Sequence, residues 1–246
     1  MIESKDNEKL RLIRKLRERK HREREGLFAT EGEDLLAAGL AAGADPQFVL
    51  VAAGTRSSVD GLYRPKDERA FDEVEADLLG SVSSLGSGTR VIAVWPIAER
   101  SAPQAPCVYL DGVGDPGNVG AIVRTAHALL DATVALGPDC ADPFGPKATR
   151  ASMGSHFARP PAVVSGIEGT PSPRVALVAH GGEGLAALAG AGTVCLGAER
   201  EGLRPEVVAA CDASVTIPLR GGAESLNVAA AAAVACARMS EERTSA

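Results

Sequence analysis

The chain has 246 residues, 45% of them hydrophobic and 24% charged, enough for one large domain or two of about 100 to 150 residues with real cores. No run of about 18 apolar residues occurs and the N-terminus is charged, so neither a membrane span nor a secretory leader is expected and a cytoplasmic location is. The net charge of −6 divides unevenly, residues 1–25 carrying ten Lys or Arg against six acids; the five cysteines and four histidines have no disulfide-framework or ligand spacing, so no metal is expected.

In chain order, the spacing predicts a helix from about Asn7 to Arg24, with Asn7 as cap and Leu10, Ile13 and Leu16 as a narrow apolar stripe. Its basic surplus suits contact with phosphate rather than with bases, because no aromatic side chain is interleaved; a solvated charged helix is the plainer alternative. Gly26 ends it. Leu27 to Thr30 reads as a brief strand, Gly32 to Gly43 as an amphipathic helix closed by glycine, and Gln47 to Ala52 as a second strand. A helix near Asp72 to Leu79, a glycine- and serine-rich turn at Ser83 to Gly88, and a strand at Thr89 to Val94 complete a small α/β domain over residues 1–97. Three prolines between Pro96 and Pro106 mark a linker over 98–106, and the second domain runs over 107–246.

From Cys107 to Leu130 the chain reads CVYLDGVGDPGNVGAIVRTAHALL: an apolar β-prone run, a turn with three glycines and a proline, then apolar residues at helical spacing. Strand, loop and helix in that order put unpaired N–H groups at a helix start, where a ligand with negative charge is favoured. Gly112, Gly114 and Gly117 satisfy G-x-G-x-x-G, with Asp131 and Asp139 near the distance of a ribose-binding acid, so a dinucleotide-dependent oxidoreductase is one reading. A nicotinamide site needs neither Asn118 in the turn nor Arg124 six residues later on nearly the same helix face. Further strands are expected at Ala132 to Gly137, at Arg174 onward before a glycine turn ending at Gly184, and at Thr193 onward, with a short helix after Lys147 and Arg150. A last helix runs from about Ser225 to Met239, with five alanines after Val228. Continuous apolar strands separated by helices indicate a parallel α/β sheet with both faces covered.

The string DPGNVGAIVRT, Asp115 to Thr125, resembles the first motif of the SpoU family of RNA ribose 2′-O-methyltransferases. VCLGAEREGL, Val194 to Leu203, resembles the second, and IPLRGGAESLNVAAAAAV, Ile217 to Val234, the third, with Leu219 where Met is common and Ala229 where Ser is common. The resemblance implies a methyltransferase domain with a deep trefoil knot, and S-adenosylmethionine bent among the knot's loops. By position it implies that Gly197, Ile217 and Leu226 hold the cofactor, together with the loop of Ala179, His180 and Gly181. It assigns activation of the ribose hydroxyl to Arg124, helped by Asn118 and Ser225, with Glu199 positioning RNA or bracing loops and Asn227 fixing the cofactor loop. A guanidinium normally stays protonated, so base and orienter are both open for Arg124; Glu199 and Asn227 could equally be helix caps.

The resemblance also implies a homodimer to which the C-terminal helix contributes, alanine packing within one chain being the alternative. The unit from Arg22 to Gly32, R-x-R-x-x-G-L-F-A-T-E-G, resembles the start of the substrate-binding domain that precedes the methyltransferase in many SpoU members. Arg22, Arg24, Glu31 and Gly32 match its best-marked positions, and Lys147, Arg150 and Ser152 lie in an element similar to the family's R-A-S-x-G. Arg22, Arg24, Lys147 and Arg150 are therefore the RNA-binding candidates. The extra domain tilts the substrate toward ribosomal RNA over tRNA, and a catalytically inactive RNA-binding member is the remaining alternative.

Overall fold

The computed structural model describes residues 1–65, 67, 70–84, 88–98 and 102–244. The middle of the predicted turn at Ser83 to Gly88 and residues 99–101 of the predicted linker lie outside the described residues. The first elements are α1 (Glu8–Lys15), α2 (Arg19–Glu25), β1 (Leu27–Glu31), α3 (Glu33–Ala41), β2 (Phe48–Ala52), β3 (Phe71–Val74), α4 (Ala76–Val82) and β4 (Val91–Pro96). There follow β5 (Cys107–Asp111), α5 (Pro116–Leu130), β6 (Thr133–Leu136), α6 (Pro146–Ser152), α7 (Ser155–Ala158), β7 (Ala162–Val163), β8 (Arg174–Leu177), β9 (Thr193–Gly197), α8 (Pro205–Ala209), β10 (Ala213–Val215) and α9 (Val228–Thr244). They form two compact units: Met1–Ala98 with Phe144–Phe157, and Glu99–Pro143 with Ala158–Ala246.

The first unit is built on a four-stranded sheet of order β1-β4-β2-β3, with β4 antiparallel to β1 and β2, and β3 parallel to β2. Asn7 caps α1, its side-chain oxygen accepting from the Lys9 N–H at 2.9 Å, and Leu10, Ile13 and Leu16 are buried as their spacing predicts. The single helix expected up to Arg24 is two, however. The chain turns at Leu16 to Glu18, and the Leu16 carbonyl accepts from the Arg22 guanidinium at 2.6 Å; charged residues on both sides of the turn conceal it from periodicity. Gly26, at φ +65°, supplies the left-handed residue that ends α2.

The expected helix at Asp72 to Leu79 is corrected to β3 followed by α4. Val74 is fully buried and β3 runs in register with β2, so pairing across the sheet overrides a locally polar sequence. Phe144–Phe157, left by the sequence expectation in the second domain, groups with the first unit because its rings join that core. The Phe28 ring lies 5.1 Å from Phe144 and Trp95 lies 4.7 Å from Phe157, while Trp95 Nε1 donates to Thr30 Oγ1 at 2.8 Å. Gly39 admits this tryptophan, since a Cβ there would stand 2.5 Å from its ring.

The second unit holds a six-stranded parallel sheet of order β10-β8-β9-β5-β6-β7. All five residues of β5 are buried, as a strand covered on both faces requires. On one face Val108, Leu110, Val194 and Leu196 pack with Val119, Ile122 and Ala126 of α5 and with Ala232, Ala235 and Met239 of α9. On the other, Tyr109, Ala135, Cys195 and Val207 form a second cluster. Alanine at 232 and 235 thus serves packing within the chain, and small residues let the helices lie close against the sheet. The short edge strands β7 and β10 and helix α8 carry too few residues for a periodic signal.

Candidate active site

The loop after β5 places the first motif. Gly112 turns the chain at φ +68°, and Asp115 caps α5, its Oδ1 accepting from the Asn118 N–H at 2.9 Å. A carboxylate of the protein itself therefore occupies the helix start where a pyrophosphate would bind. At the other end of α5, Asp131 adopts φ +48° and pairs with Arg159. The dinucleotide reading loses both its anion site and one of its acids.

Three residues, one from each motif, meet instead. Asn118 Nδ2 donates to Glu199 Oε1 at 2.6 Å, Asn227 Nδ2 donates to the same oxygen at 2.7 Å, and Asn227 Nδ2 lies 3.2 Å from Asn118 Oδ1. Asn227 is also a cap: its Oδ1 accepts from the Ala229 N–H at 2.9 Å. The two roles use opposite ends of one amide, and the cap fixes which end faces Glu199.

Glu199 rides on a tight loop between β9 and α8. Ala198 and Gly202 exchange backbone hydrogen bonds at 3.1 and 2.9 Å, and a Cβ on Gly197 would collide with the backbone of Gly202 and Leu203. Glycine at 197 is therefore required by close backbone approach. The loop forms one wall of a cleft of about 490 Å³; residues 177–180 form another, and the stretch from Ile217 to Leu226 a third.

Of the residues assigned to the cofactor, Ala179, His180, Gly197, Ile217 and Leu226 line this cleft, as do Ser225 and Glu199. Gly181, at φ +78°, turns the chain beside it without lining it. Arg124 is exposed on α5 and has no hydrogen bond or ion pair among the described residues. Leu203 and Leu219 also face the cleft; they are ordinary leucines by local pattern. Asp111 and Arg204, which form an ion pair behind the loop, carry no local signal because 93 residues separate them. Among the described residues no group of His, Cys, Asp or Glu could hold a metal ion.

The RNA-binding candidates, all in the first unit, fare differently. Arg22 is 4% exposed and braces the turn at Leu16, so its assignment as a surface contact is corrected. Arg24 is exposed and paired with Glu25 at 2.6 Å. Lys147 and Arg150 are exposed on α6, but Ser152 is buried, bonded to the Thr149 carbonyl and to His156 Nδ1. Glu31 clamps the chain just after α4 by accepting from Ser83 Oγ, the Ser84 N–H and Ser84 Oγ. In the basic segment, Lys5, Arg11 and Lys15 are exposed and have no hydrogen bond or ion pair through their side chains among the described residues.

The sequence model of the SpoU rRNA Methylase family matches residues 105–237, and that of the MRM3-like substrate binding domain matches residues 7–93. The chain is 31% identical, over 95% of its length and 96% of the other's, to the Bacillus subtilis (strain 168) protein named 23S rRNA (guanosine(2553)-2′-O)-methyltransferase RlmP. Among solved structures it is similar to a putative RNA methyltransferase of the TrmH family from Porphyromonas gingivalis, with TM-score 0.82, 29% identity, and coverage of 98% and 99% of the two chains. It is likewise similar to an AdoMet-bound rRNA methyltransferase from Sinorhizobium meliloti, with TM-score 0.79, 26% identity, and coverage of 96% and 95%.

Proposed function

Because the chain belongs to the SpoU rRNA methylase family and is an S-adenosylmethionine-dependent RNA ribose 2′-O-methyltransferase, we propose that ribosomal RNA is its substrate and that the cleft beside Asn118, Glu199 and Asn227 is where cofactor and RNA meet. The observation that carries this reading is the bonded trio, one residue from each motif, at the edge of a cleft of about 490 Å³. That volume lies within the range of about 300 to 1,000 Å³ usual for small-molecule sites. The glycine-lined approach of Gly197 to Gly202, with Ile217 and Leu226 opposite, suits a nucleoside held through backbone groups and flat apolar contact. Residues and cofactor fit.

When bound, S-adenosylmethionine supplies an electrophilic methyl group on its sulfonium. The chain's own groups then have to present a ribose hydroxyl in line with it. Ala179, His180, Gly197, Ile217 and Leu226 hold the cofactor, with Gly181 shaping the turn beside them. Arg124, with an unpaired planar fork, holds the target phosphate and hydroxyl, and Ser225 lies on the cleft wall to help orient the hydroxyl. Glu199 fixes the loop by accepting from both asparagines. Arg24, Lys147 and Arg150, with the free cations of α1, supply phosphate contacts from the first unit.

The parallel sheet is proposed to carry the family's trefoil knot, and the protein to act in the cytoplasm as a homodimer. No helix among the described residues is long and apolar enough to cross a membrane. On α5, Leu129 is 42% exposed, a surface that a second copy would cover. Light scattering should give about 50 kDa, twice the 25.2 kDa chain; an active monomer would refute the dimer. For the substrate, total RNA from cells with and without the gene is compared for reverse-transcription stops that depend on ribose methylation. A gene-dependent stop in ribosomal RNA is expected, and a stop confined to tRNA would overturn the assignment.

A further inference from the structure

Asp111 lies four residues before the first-motif string and Arg204 one residue after the second, so neither is among the residues the motifs assign. Asp111 closes β5 and is 1% exposed. Across the sheet it stands in register with Gly197, the last residue of β9. Its carboxylate accepts from the Arg204 backbone N–H at 3.1 Å, from Nε at 3.0 Å, and from Nη2 at 2.5 Å.

Between Gly197 and Arg204 lie residues 198–203, every one of which lines the cleft. The backbone pairing of Asp111 with Gly197 sets one end of this loop and the bonds of its carboxylate to Arg204 set the other, so one buried residue touches both ends. Within the loop, Ala198 and Gly202 exchange two backbone hydrogen bonds, and from outside it Glu199 is held by Asn118 and Asn227. With Asp111 buried and Arg204 42% exposed, the pair adds little net stability compared with apolar packing, but its forked geometry specifies orientation, and loss of Arg204 leaves a buried carboxylate uncompensated.

We propose that Asp111, acting through Arg204, is a positioning residue for the cofactor-side loop, holding Glu199 against Asn118 and Asn227 and the loop backbone against the cofactor. This rests on the reading of the cleft as the cofactor site, so the experiment carries a separate control for that reading. Leu226, 39% exposed on the cleft wall, can be enlarged without disturbing the core.

The test measures S-adenosylmethionine affinity by calorimetry, kcat and KM for methyl transfer, RNA affinity without cofactor, and thermal unfolding, all on the full chain. Arg204→Met is the principal variant: the Arg204 side chain is 42% exposed, so its replacement leaves no void in the core, and the unfolding measurement reports the cost of the carboxylate left without its partner. Asp111→Asn keeps an acceptor for the Arg204 N–H and removes the charge. Both should weaken cofactor affinity by about tenfold or more and lower kcat, while RNA affinity stays within about twofold. Arg204→Lys, which restores charge without the fork, should recover part of the loss. Leu226→Trp should abolish cofactor binding if the cleft is the cofactor site; normal binding by Leu226→Trp would overturn that reading. Loss of binding in Leu226→Trp together with wild-type cofactor affinity and kcat in Arg204→Met would overturn the positioning role alone. So would a change confined to the unfolding temperature.

Discussion

In the basic segment 1–25, seven of the ten cations are already engaged by the protein itself, whereas Arg124 on α5 is exposed and bonded to nothing among the described residues. Lys9 pairs with Asp72, Arg17 donates to the Ser83 carbonyl and Arg22 to that of Leu16, while Arg19, Lys20 and Arg24 pair with nearby glutamates. The first region has charge in excess and little of it unpaired; the second has one cation and all of it available. Charge density therefore does not locate a nucleic-acid contact, because exposed intrachain pairs, though they add little stability, already neutralise the cations in them.

The sharpest way to break this contrast is to remove the unpaired cation. Arg124→Ala should lower methyl transfer by more than about a hundredfold while leaving S-adenosylmethionine affinity nearly unchanged, and Arg124→Lys should not restore turnover. Near-normal turnover by Arg124→Ala on its RNA would end the catalytic assignment of α5.

A smaller effect separates the two functions of Asn227. Asn227→Asp keeps the acceptor that caps α9 but replaces the donor facing Glu199 with a second carboxylate. Stability should change by no more than about 1 kcal/mol while activity falls by about tenfold. Equal losses of both would mean that Asn227 acts only as a cap.

Within the basic segment, deletion is uninformative because Leu10, Ile13 and Leu16 belong to the core. Point changes discriminate. Arg11→Ala combined with Lys15→Ala should flatten the slope of log affinity against log salt by up to about 1.8, or 0.9 per phosphate contact, with unfolding unaffected. Arg22→Met should leave that slope alone and cost about 1 to 3 kcal/mol, because the Leu16 carbonyl loses its partner. The reverse pattern would restore Arg22 as a surface contact.

The smallest effect comes from His156, buried among Phe28, Phe144 and Phe157 and held down to about 3 by desolvation. The ring folds neutral, so the stability it contributes is complete above the ordinary value of about 6.5 and is lost as pH falls from there toward about 3. Going from pH 7 to 6 should cost less than about 1 kcal/mol, and His156→Phe should flatten the acid limb of the first unit's denaturant midpoint. An unchanged limb would assign the acid sensitivity to other groups.

Much of the fold was legible residue by residue. Asn7 as cap, Gly26 as helix end, the buried stripe of α1 and the strand–loop–helix after Cys107 depend on neighbours a few positions away, and such neighbours leave periodic or conformational marks. The turn at Leu16 to Glu18, strand β3 and the place of Phe144–Phe157 were not legible, because each is set by a partner distant in sequence: Arg22 on Leu16, β2 beside Phe71, and Phe28 and Trp95 against the rings.

The candidate site divides the same way. The sequence alone determined which chemical groups stand at the ends of β5 and β9 and in the stretch that begins at Ile217, since glycines, caps and motif order are local properties. Only the tertiary structure decided that Asn118, Glu199 and Asn227 meet, that Arg124 is left unpaired while Arg22 is buried, and that Asp111 grips Arg204. The physical reason is that a parallel sheet brings β5 beside β9 through long crossovers, and a hydrogen bond spanning 81 or 93 residues has no signature in either neighbourhood.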